Sequence, residues 1–492
     1  MKAKKLLLLC VLFTNTLVFG TTYTVINTNE SGDGSLAWAF TSATAADDVV
    51  SFNVDTTEFT IPAAISQSLT VEGLNQFNGA KIILKKAAGI KFADITGKVL
   101  TLKNIIFDGE NLAGAIGITA DVTSTLNIEN CVLKNINSSG AANNGGACRI
   151  QGVVNITNSL FENNTQGSGG YGGGALCIYN AANITIDKCS FIGNQSNLTG
   201  NSGGGAIVAR GTVATACNVT ITNSTFANNI SGKGGAILSS VQSATAFTAN
   251  VKAINCTFTG NQGDGAISAL TTNKGFANVY LVNSIVVNNV NAAANAYSDL
   301  LETKGTDAAT VVLIEPHNVI YTTASATVVT TGRNCIEVAD PSTATIFYEL
   351  ETFATDKKRP VLTDTMDQTV ALLSSASPAK NAGVATLAGY TIPTVDQLNA
   401  ARPATPAIGA VEYLLGTKTP EINSNGINLV VRGKELTVTG LTNDSEMSVY
   451  GLTGNLLRKS VVSNNQSVSL ENISADFVIV KVQNQSYKLF LK

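Results

Sequence analysis

Acidic and basic side chains that could cleave a sugar chain are sparse in this sequence. Charged residues make up 13% of the 492 positions, and the chain has one histidine, His317. Glu129 and Asp187 occupy the same place in two copies of a repeated motif, and we expect Arg149 and Lys188 to lie nearby. Two carboxylates, or a basic residue beside acidic ones, can act as acid and base on a glycan. These four residues are the candidate catalytic group, and the alternative is a set of solvated residues on a strand face.

Three tyrosines are candidates for stacking on a sugar or a partner. Tyr171 lies in the glycine-rich stretch from Gly167 to Gly174, which lacks the Lys-Ser/Thr of a phosphate-binding loop. That stretch could instead be a flexible bulge from one structural unit. Tyr179 and Tyr280 could bind in the same way as Tyr171. No cysteine or histidine spacing matches a metal site, so the sequence predicts neither a metal nor a cofactor.

The elements that must position these residues are copies of one strand motif. Each copy alternates apolar and polar residues, then usually has Asn, then Ser or Cys, then an apolar anchor. Alternation of period two predicts a strand with one buried face, and a repeat of near-constant length predicts stacked units. Neighbouring anchors are 26 to 35 residues apart, and they are Phe107, Leu133, Phe161, Phe191, Phe226, Phe258 and Val286.

A second motif, Gly-Gly-Ala followed by an apolar residue, alternates with the first. Turns rich in Gly, Asn and Ser separate the strands, and no helical pattern does. We therefore predict an all-β fold, a right-handed single-stranded parallel β-helix whose coils lie about 4.8 Å apart. Equivalent residues should then form columns, with the phenylalanines stacked inside and small Cys131, Cys189 and Cys256 at one bend. Another column, broken by Lys188, should hold hydrogen-bonded amides of Asn104, Asn130, Asn158, Asn223, Asn255 and Asn283.

These two alternating motifs resemble the GGA[ILV] and FxxN repeats of chlamydial polymorphic outer membrane proteins and related bacterial β-helix surface proteins. The resemblance implies a surface protein with this fold, and it says much less about an activity. The matching segments are the Gly-Gly-Ala-type sites ending at Ala147, Ala175, Ala206, Ala236 and Ala266, and the four tetrapeptides Phe161–Asn164, Phe191–Asn194, Phe226–Asn229 and Phe258–Asn261.

The first fifty residues predict an export signal and a cap. Lysines followed by an apolar run from Leu6 to Phe13 indicate a secretory signal over residues 1–20. No other stretch of the sequence is a candidate membrane-spanning helix. Residues 21–52 predict an N-terminal cap with a short helix, Leu36–Ala45, whose first turn is capped by Ser35. Such a cap would hide the strand edges at the open end of the solenoid.

The last part of the chain predicts a separate small module. We place the β-helix at residues 53–415, with a closing coil that includes Arg402 to Tyr413, and a polar linker at 416–425. Alternating short strands over 426–492 predict an antiparallel β-sandwich. This segment resembles the C-terminal sorting domain of Bacteroidetes type IX secretion, which implies recognition by an export machinery. The matching stretches are Met447–Gly454, Ile473–Val482 and Tyr487–Lys492.

Composition and these resemblances together predict a secreted protein attached to the bacterial outer surface. A net charge of −3 argues against nucleic acid or an anionic membrane as a partner. The first hypothesis is an adhesin-like, non-enzymatic β-helix that binds a host or glycan ligand. The alternative is a β-helix polysaccharide lyase or glycoside hydrolase, since the fold alone does not determine the function.

Overall fold

A computed structural model describes most of the chain. The predicted linker at 416–425 and all of the predicted signal except Gly20 lie outside the described residues. The described residues are 20–139, 145–167, 170–180, 182–196, 202–304, 309–314, 317–321, 334–353, 356–365, 368–413, 428–432, 434–439, 441, 443–451, 454–464, 466–473, 477–482 and 485–490.

The described secondary structure is almost entirely strand. Up to residue 139 the elements are β1 (Thr22–Val25), α1 (Leu36–Ser42), β2 (Val49–Phe52), β3 (Glu58–Thr60), β4 (Leu69–Glu72), β5 (Ile82–Lys85), β6 (Ala93–Ile95), β7 (Val99–Lys103), β8 (Ile105–Asp108), β9 (Ile118–Ala120), β10 (Thr125–Glu129) and β11 (Val132–Lys134). The repeat region continues with β12 (Cys148–Ile150), β13 (Val153–Thr157), β14 (Leu160–Glu162), β15 (Thr165–Gln166), β16 (Leu176–Tyr179), β17 (Asn183–Asp187), β18 (Ser190–Ile192), β19 (Gln195–Ser196), β20 (Ile207–Arg210), β21 (Cys217–Thr222), β22 (Thr225–Ala227), β23 (Ile230–Lys233), β24 (Ile237–Val241), β25 (Thr248–Ile254), β26 (Thr257–Thr259), β27 (Gln262–Asp264), β28 (Ile267–Thr271), β29 (Phe276–Val282) and β30 (Ile285–Val286). The remaining strands are β31 (Leu300–Thr303), β32 (Ala309–Ile314), β33 (Val319–Ile320), β34 (Ile336–Glu337), β35 (Leu350–Phe353), β36 (Lys357–Pro360), β37 (Thr363–Thr365), β38 (Gln368–Val370), β39 (Asn428–Arg432), β40 (Glu435–Thr439), β41 (Ser445–Tyr450), β42 (Leu456–Val462), β43 (Gln466–Ser469), β44 (Phe477–Val482) and β45 (Gln485–Phe490).

Three long parallel sheets form the walls of a β-helix, as the repeats predict. The first sheet has 11 strands in the order β1-β2-β4-β7-β10-β13-β17-β21-β25-β29-β32. The second has 11 strands in the order β3-β5-β8-β11-β14-β18-β22-β26-β30-β33-β34, and the third has eight, β31-β28-β24-β20-β16-β12-β9-β6. Anchors of successive copies are paired, from Phe107 with Leu133 to Phe258 with Val286. The stacking of like residues on like residues is therefore confirmed.

The anchor phenylalanines form the predicted column inside the solenoid. Ring centroids lie 4.9 Å apart for Phe161 and Phe191, 4.7 Å for Phe191 and Phe226, and 4.8 Å for Phe226 and Phe258. The angles between these ring planes are 8°, 3° and 15°. The ring spacing equals the spacing of hydrogen-bonded strands because each ring is carried by the next strand of the second sheet. The fully buried column thus reports the register of the coils directly.

The asparagines at the strand ends have a backbone role that the sequence interpretation did not include. Their φ angles lie between 47° and 56°, and Lys188 has φ 54° at the same position. Asparagine tolerates this left-handed conformation better than most residues with a side chain. The expected amide-to-amide bond forms from Asn130 Nδ2 to Asn104 Oδ1 at 2.6 Å, whereas Asn223 Nδ2 donates to Asp187 Oδ1. The residues of this column therefore share a left-handed backbone conformation, whereas their side-chain hydrogen bonds differ.

A continuous amide ladder lies instead at the last asparagine of the FxxN motif. The Nδ2 group of each residue donates to the Oδ1 atom of the next, over distances of 2.8 to 3.0 Å. The same Oδ1 atom also accepts from the backbone N–H of the preceding rung, and each Nδ2 reaches a backbone carbonyl of the coil before it. The side-chain amides of these asparagines are thereby satisfied by protein atoms, as burial requires. We call this column the buried ladder, and its members are Asn164, Asn194, Asn229, Asn261 and Asn289.

The buried ladder ends on a carboxyl group. Asp299 Oδ1 accepts from Asn289 Nδ2 at 2.7 Å, and its Oδ2 accepts from the backbone N–H of Tyr321 at 3.2 Å. Asp299 is 1% exposed, and burial raises its pKa well above the usual range, although these hydrogen bonds oppose the shift. An acceptor at both oxygens is needed here because the partners on either side are donors.

The Gly-Gly-Ala motif follows from close approach between neighbouring coils. Gly204 has φ +77°, in the region that favours glycine, and the next residue packs against backbone. A Cβ atom added to Gly205 would lie 2.0 Å from the carbonyl oxygen of Gly235 in the following coil. Since no side chain fits in that space, the spacing between coils requires glycine at the second position of the motif.

The N-terminal cap has the predicted short helix, which ends earlier than predicted. The helix spans Leu36–Ser42 rather than reaching Ala45, and Ser35 Oγ accepts from the Trp38 N–H at 3.2 Å. Leu36, Ala39 and Phe40 are buried against the first coil. The preceding strand, β1, pairs in parallel with β2 and begins the first sheet.

After the parallel pairing ends at β34, the described residues between 338 and 413 run along the side of the solenoid. Strand β35 pairs with β36, and β37 with β38, in antiparallel hairpins. The Gly409 N–H donates to Asn283 O at 2.8 Å, and Gln397 Nε2 donates to Cys189 O at 3.1 Å. The segment expected to form a closing coil therefore crosses several earlier coils, and we call residues 394–412 the side strap. The boundary at residue 415 stays a prediction.

Two small antiparallel sheets follow near the end of the chain. Their orders are β39-β40-β43 and β42-β41-β44-β45. Side chains from both sheets, including Leu436, Val438, Val449 and Val480, share one buried core. This is the sandwich expected for residues 426–492. Residues 452–453, 474–476 and 491–492, which belong to the stretches that resemble a sorting domain, lie outside the described residues.

The buried ladder predicts a large loss of stability for Asn229→Ala. The change removes the acceptor for two Asn194 donors and the donor to Asn261, and each orphaned buried group costs about 1–3 kcal/mol. We expect the free energy of unfolding in urea to fall by about 3 kcal/mol or more. Asn155→Ala is the control, because Asn155 makes one similar bond to Asn127 on an exposed face. Equal losses for the two variants would contradict the role given to the buried ladder.

Candidate functional site

Aromatic and cationic side chains converge on the outer face of the third sheet. Arg149 pairs with Cys177, and Tyr179 pairs with Arg210 on the next strand. Their neighbours in sequence, such as Ile150 and Ile178, point into the solenoid core. Because side chains alternate along a strand, Arg149, Tyr179 and Arg210 point outward. Tyr171 joins them from the loop that precedes β16, and we call these four residues the aromatic–arginine cluster.

The two tyrosine rings meet edge to face, and a guanidinium group lies near each of them. The Tyr171 and Tyr179 ring centroids lie 5.8 Å apart with an interplanar angle of 73°. The Arg210 Cζ atom lies 3.8 Å from the Tyr171 ring centroid, and the Arg149 Cζ atom lies 6.0 Å from that of Tyr179. Both contacts are within cation–π range. The floor beneath the tyrosines is apolar and buried, and it consists of Cys177, Val208, Leu238 and Leu270.

The arginines of this cluster are not fully satisfied by their surroundings. The Nε atoms of Arg149 and Arg210 are buried, and neither has a hydrogen-bond partner within the described part of the chain. Such a group costs about 1–3 kcal/mol. Burial lowers the pKa of Arg210, while the neighbouring Tyr171 opposes that shift. Burial also raises the pKa of Tyr179, so its phenol is neutral near pH 7. The cluster is thus cationic and contains donors without acceptors.

An ion pair extends this face beyond Arg149. Arg149 pairs with Thr119 on β9, which pairs in turn with Asp94 on β6. Thr119 Oγ1 donates to Asp94 Oδ1, and Lys91 Nζ lies 2.8 Å from Asp94 Oδ2. Burial tends to raise the pKa of Asp94, but Lys91, Thr119 and the charge of Arg149 together hold it below its usual value. Asp94 is therefore a carboxylate at neutral pH and a poor proton donor.

The predicted catalytic carboxylates lie on a different sheet. Glu129 and Asp187 are two rungs apart in the first sheet with Thr157 between them, in the expected register. Glu129 Oε2 pairs with Lys103 Nζ at 3.0 Å, and Asp187 Oδ1 accepts from Thr222 Oγ1 at 2.6 Å. Both carboxylates thus have partners already.

The two basic members of the predicted catalytic group lie apart from each other. Arg149 belongs to the third sheet, so the structure does not place it beside the carboxylates of the first sheet. Lys188 Nζ donates to Asn399 Oδ1 at 2.8 Å and so contacts the side strap. The four residues therefore do not form one group.

The three predicted binding tyrosines divide between two sheets. Tyr171 and Tyr179 meet in the aromatic–arginine cluster, whereas Tyr280 lies on the first sheet, paired with Lys252.

The sequence analysis missed Arg210, although the sequence contains a pattern that could have identified it. Tyr179 and Arg210 each stand four positions after the alanine of a Gly-Gly-Ala motif, so aligning the second motif would have placed them side by side.

A group of carboxyls on the second sheet was also missed. Asp108, Lys134 and Glu162 occupy successive rungs of its outer face, and Lys134 Nζ lies 3.4 Å from Asp108 Oδ2. Burial raises the pKa of Glu162; the charges of Asp108 and Asp364 add to the shift, while Lys134 opposes it. A carboxyl group whose pKa is raised can hold a proton for donation.

The side strap is fixed by a buried network of charges. Arg402 Nη1 lies 2.6 Å from Glu412 Oε1, with side-chain exposures of 2% and 9%. Arg402 Nη2 donates to Asn223 Oδ1 at 2.9 Å, and Asp396 Oδ2 accepts from the Glu412 N–H at 2.8 Å. Burial raises the pKa of both acids and lowers that of Arg402. Because these groups are paired with one another, the network acts as a structural latch.

The cysteines at the bend are buried thiols that are unreactive at neutral pH. Cys131, Cys189 and Cys256 are buried at the predicted bend as free thiols. Burial raises the pKa of Cys131 to about 12, so the thiol is neutral at pH 7.

Across the described ranges given above, no three His, Cys, Asp or Glu side chains are arranged to hold a metal ion. Within the same ranges, no helix is both long and apolar enough to cross a membrane.

Comparison with known proteins yields a distant structural similarity. No protein-family model matches the chain, and no curated protein matches it. Among solved structures, the pectate lyase Pel9A is similar to it, with 13% sequence identity and a TM-score of 0.35. The similarity covers 80% of this chain and 97% of the lyase. A similarity at that level carries no inference about activity.

The latch predicts that Arg402→Ala destabilises the protein strongly. The change leaves Glu412 buried without its partner, which costs about 3–5 kcal/mol in known cases. We expect a loss of that size in the free energy of unfolding, measured in urea. Lys103→Ala removes a more exposed ion pair with Glu129, and it should cost under about 1 kcal/mol. A small effect of Arg402→Ala would show that the side strap does not stabilise the solenoid.

Proposed function

We propose that this chain is an exported, cell-surface β-helix protein that binds a glycan without cleaving it, in the manner of an adhesin. The observation that carries this proposal is the aromatic–arginine cluster. Its tyrosine rings stand 5.8 Å apart over an apolar floor, with two guanidinium groups beside them. Apolar and aromatic surfaces with a few directed polar groups are typical of small-molecule sites, and such a surface suits the face of a sugar ring.

The scaffold supports binding because it holds three of the four cluster residues on strands. Arg149, Tyr179 and Arg210 are on β12, β16 and β20, which are neighbouring strands of one sheet. Sites on strands are held more precisely than sites on loops. A repeated ladder of strands also offers a long surface along which a polymer can lie.

The partners of three carboxylates favour binding over cleavage. Two of them, Glu129 and Asp187, are the acids that the sequence singles out, and the third, Asp94, lies beside the aromatic–arginine cluster. Glu129 is ion-paired, Asp187 accepts hydrogen bonds, and Asp94 has a lowered pKa. General acid catalysis on a glycosidic bond needs a carboxyl group that stays protonated. Asp94 is not held in that state, and Glu129 and Asp187 already have partners.

A glycoside hydrolase or polysaccharide lyase is the second candidate function, and Glu162 is the observation that favours it. Its pKa is raised, and the carboxyls of Asp108 and Asp364 contribute to that shift. One acid that holds its proton beside other carboxyl groups is the arrangement that glycoside hydrolysis uses.

The surface location is part of the proposal and rests on two resemblances. The repeats resemble those of polymorphic outer membrane proteins, and the C-terminal module resembles a type IX sorting domain. In this reading the signal at residues 1–20 directs export, and residues 426–492 contact the secretion machinery.

Glycan binding should depend on the two clustered tyrosines. Tyr171→Ala and Tyr179→Ala should each weaken binding of the best ligand from a glycan array by about tenfold or more, about 1.4 kcal/mol, because each removes a stacking surface. Tyr280→Ala is the matched control on another sheet and should bind normally. Titration calorimetry measures the affinities. Unchanged affinity in both cluster variants would rule out this site.

Cleavage is tested on the same glycans by reducing-end and double-bond assays. We expect no product from the wild-type protein. Product that disappears in Glu162→Gln would establish the hydrolase or lyase, and product that disappears in the double variant Glu129→Gln and Asp187→Asn would place the chemistry on the first sheet.

The sorting role predicts that the C-terminal module is needed for display and dispensable for folding of the solenoid. Deleting residues 426–492 should abolish surface display, because the export machinery would lose its contact, while the β-helix keeps its circular dichroism spectrum. Labelling of intact cells with an antibody to the solenoid measures display. Display at the wild-type level would contradict the sorting role.

A further inference from the structure

We propose that the ligand of the aromatic–arginine cluster is an anionic polysaccharide, with carboxylate or sulfate groups bound by Arg149 and Arg210. This inference rests on the proposed glycan binding, and it adds the chemical class of the glycan. Three observations carry it: donors without acceptors, the stacking geometry of the guanidinium groups, and the local charge.

The first observation is the pair of buried Nε–H donors. Neither Arg149 nor Arg210 has an Nε partner within the described residues. Buried donors in native proteins are nearly always paired, so an unpaired one calls for an explanation. Carboxylates and sulfates present oxygen acceptors that match the planar fork of arginine, and two parallel hydrogen bonds form when they meet. The Nε atoms are shielded from solvent, so an acidic glycan would have to bind at the edge of each guanidinium group to supply the acceptor that the protein lacks.

The second observation is the stacking of Arg210 on Tyr171. With Cζ 3.8 Å from the ring centroid, one face of the guanidinium group is covered by the tyrosine. The five N–H donors of arginine lie in the plane of the group and not perpendicular to it. Stacking therefore fixes the orientation of Arg210 without using any of its donors. A preorganised guanidinium group loses less side-chain entropy on binding.

The third observation is the sign of the local charge. Lys91, Arg149 and Arg210 lie on or beside the outer face from β6 to β20. Two carboxylates lie there as well: Asp94, which Lys91 contacts at 2.8 Å, and Asp121, which accepts a hydrogen bond from Ser124 Oγ. The chain as a whole has a net charge of −3. A cationic face on an acidic protein attracts an anionic polymer locally, and salt should weaken that attraction.

The spacing of the two arginines favours a polymer over a single acidic sugar. Arg149 is paired with Cys177, which is paired with Val208, two residues before Arg210. Their backbones are therefore two coils apart, about 9–10 Å along the solenoid axis. A chain with acid groups on successive units can engage both arginines together, and linked contacts raise the affinity beyond that of either one.

Matched polysaccharide pairs test this inference with the full mature protein. Each pair has one backbone in a charged and a neutral form: dextran sulfate against dextran, and a polyuronate against its methyl ester. We expect at least one charged form to bind about tenfold or more tightly than its neutral partner. Raised ionic strength should weaken that binding. The sulfate and uronate pairs separate the two sources of negative charge.

Three substitutions locate the interaction. Arg149→Gln and Arg210→Gln should each weaken binding of the charged polymer about tenfold while binding of a neutral form changes little. Arg210→Lys keeps the charge but loses the fork, so it should restore only part of the affinity. Lys252→Gln removes an exposed charge on the first sheet and serves as the control.

The outcomes distinguish this inference from the function on which it rests. If neutral and charged forms bind equally and the tyrosine variants abolish binding, the anionic ligand is wrong and glycan binding stands. Charged polymer that binds equally well to the arginine variants also overturns the inference. If no glycan binds, or the tyrosine variants bind normally, the proposed function fails as well.

Discussion

The buried ladder is the constraint on which the rest of the structure depends. A solenoid coil must turn corners, and every corner leaves backbone groups that no strand can pair. In the repeat region the amides of Asn194, Asn229 and Asn261 satisfy these groups by bonding the coils before and after them. Each amide thus serves its own bend and the register of its neighbours together. A coil that slipped by one residue would lose these bonds and turn its apolar face outward.

Fixed register explains the other repeated features. Phenylalanine rings can stack at 4.7 to 4.9 Å only if equivalent residues lie directly above one another. The same spacing brings Gly205 so close to the next coil that no Cβ fits. It also sets which residues face outward, so that Tyr179 and Arg210 become neighbours although 31 positions separate them in sequence. The aromatic–arginine cluster is therefore a consequence of the stacking as much as of its own residue types.

Much of the fold could be predicted from the repeats, because every copy has the same alternation of buried apolar and exposed polar residues. The parallel β-helix could be predicted, and so could the Phe column, the cysteine bend and the Ser35 cap. The left-handed backbone at the strand-end asparagines was not predicted, since an amide column and a conformational requirement leave the same sequence signal. Lys188 shares the conformation and its amine contacts Asn399, but the requirement does not explain a lysine at this position. The position of residues 334–413 on the solenoid could not be predicted from the sequence. An irregular segment has no repeat period from which its long-range contacts could be inferred.

Amide hydrogen exchange tests the central claim most directly. In the folded protein the backbone N–H groups of Asn194, Asn229 and Asn261 donate to the amide oxygen of the following rung, and all three residues are buried. The account predicts that these three amides exchange among the slowest in the solenoid and with similar free energies of opening, because one cooperative column protects them. Fast or widely different exchange at these positions would contradict it.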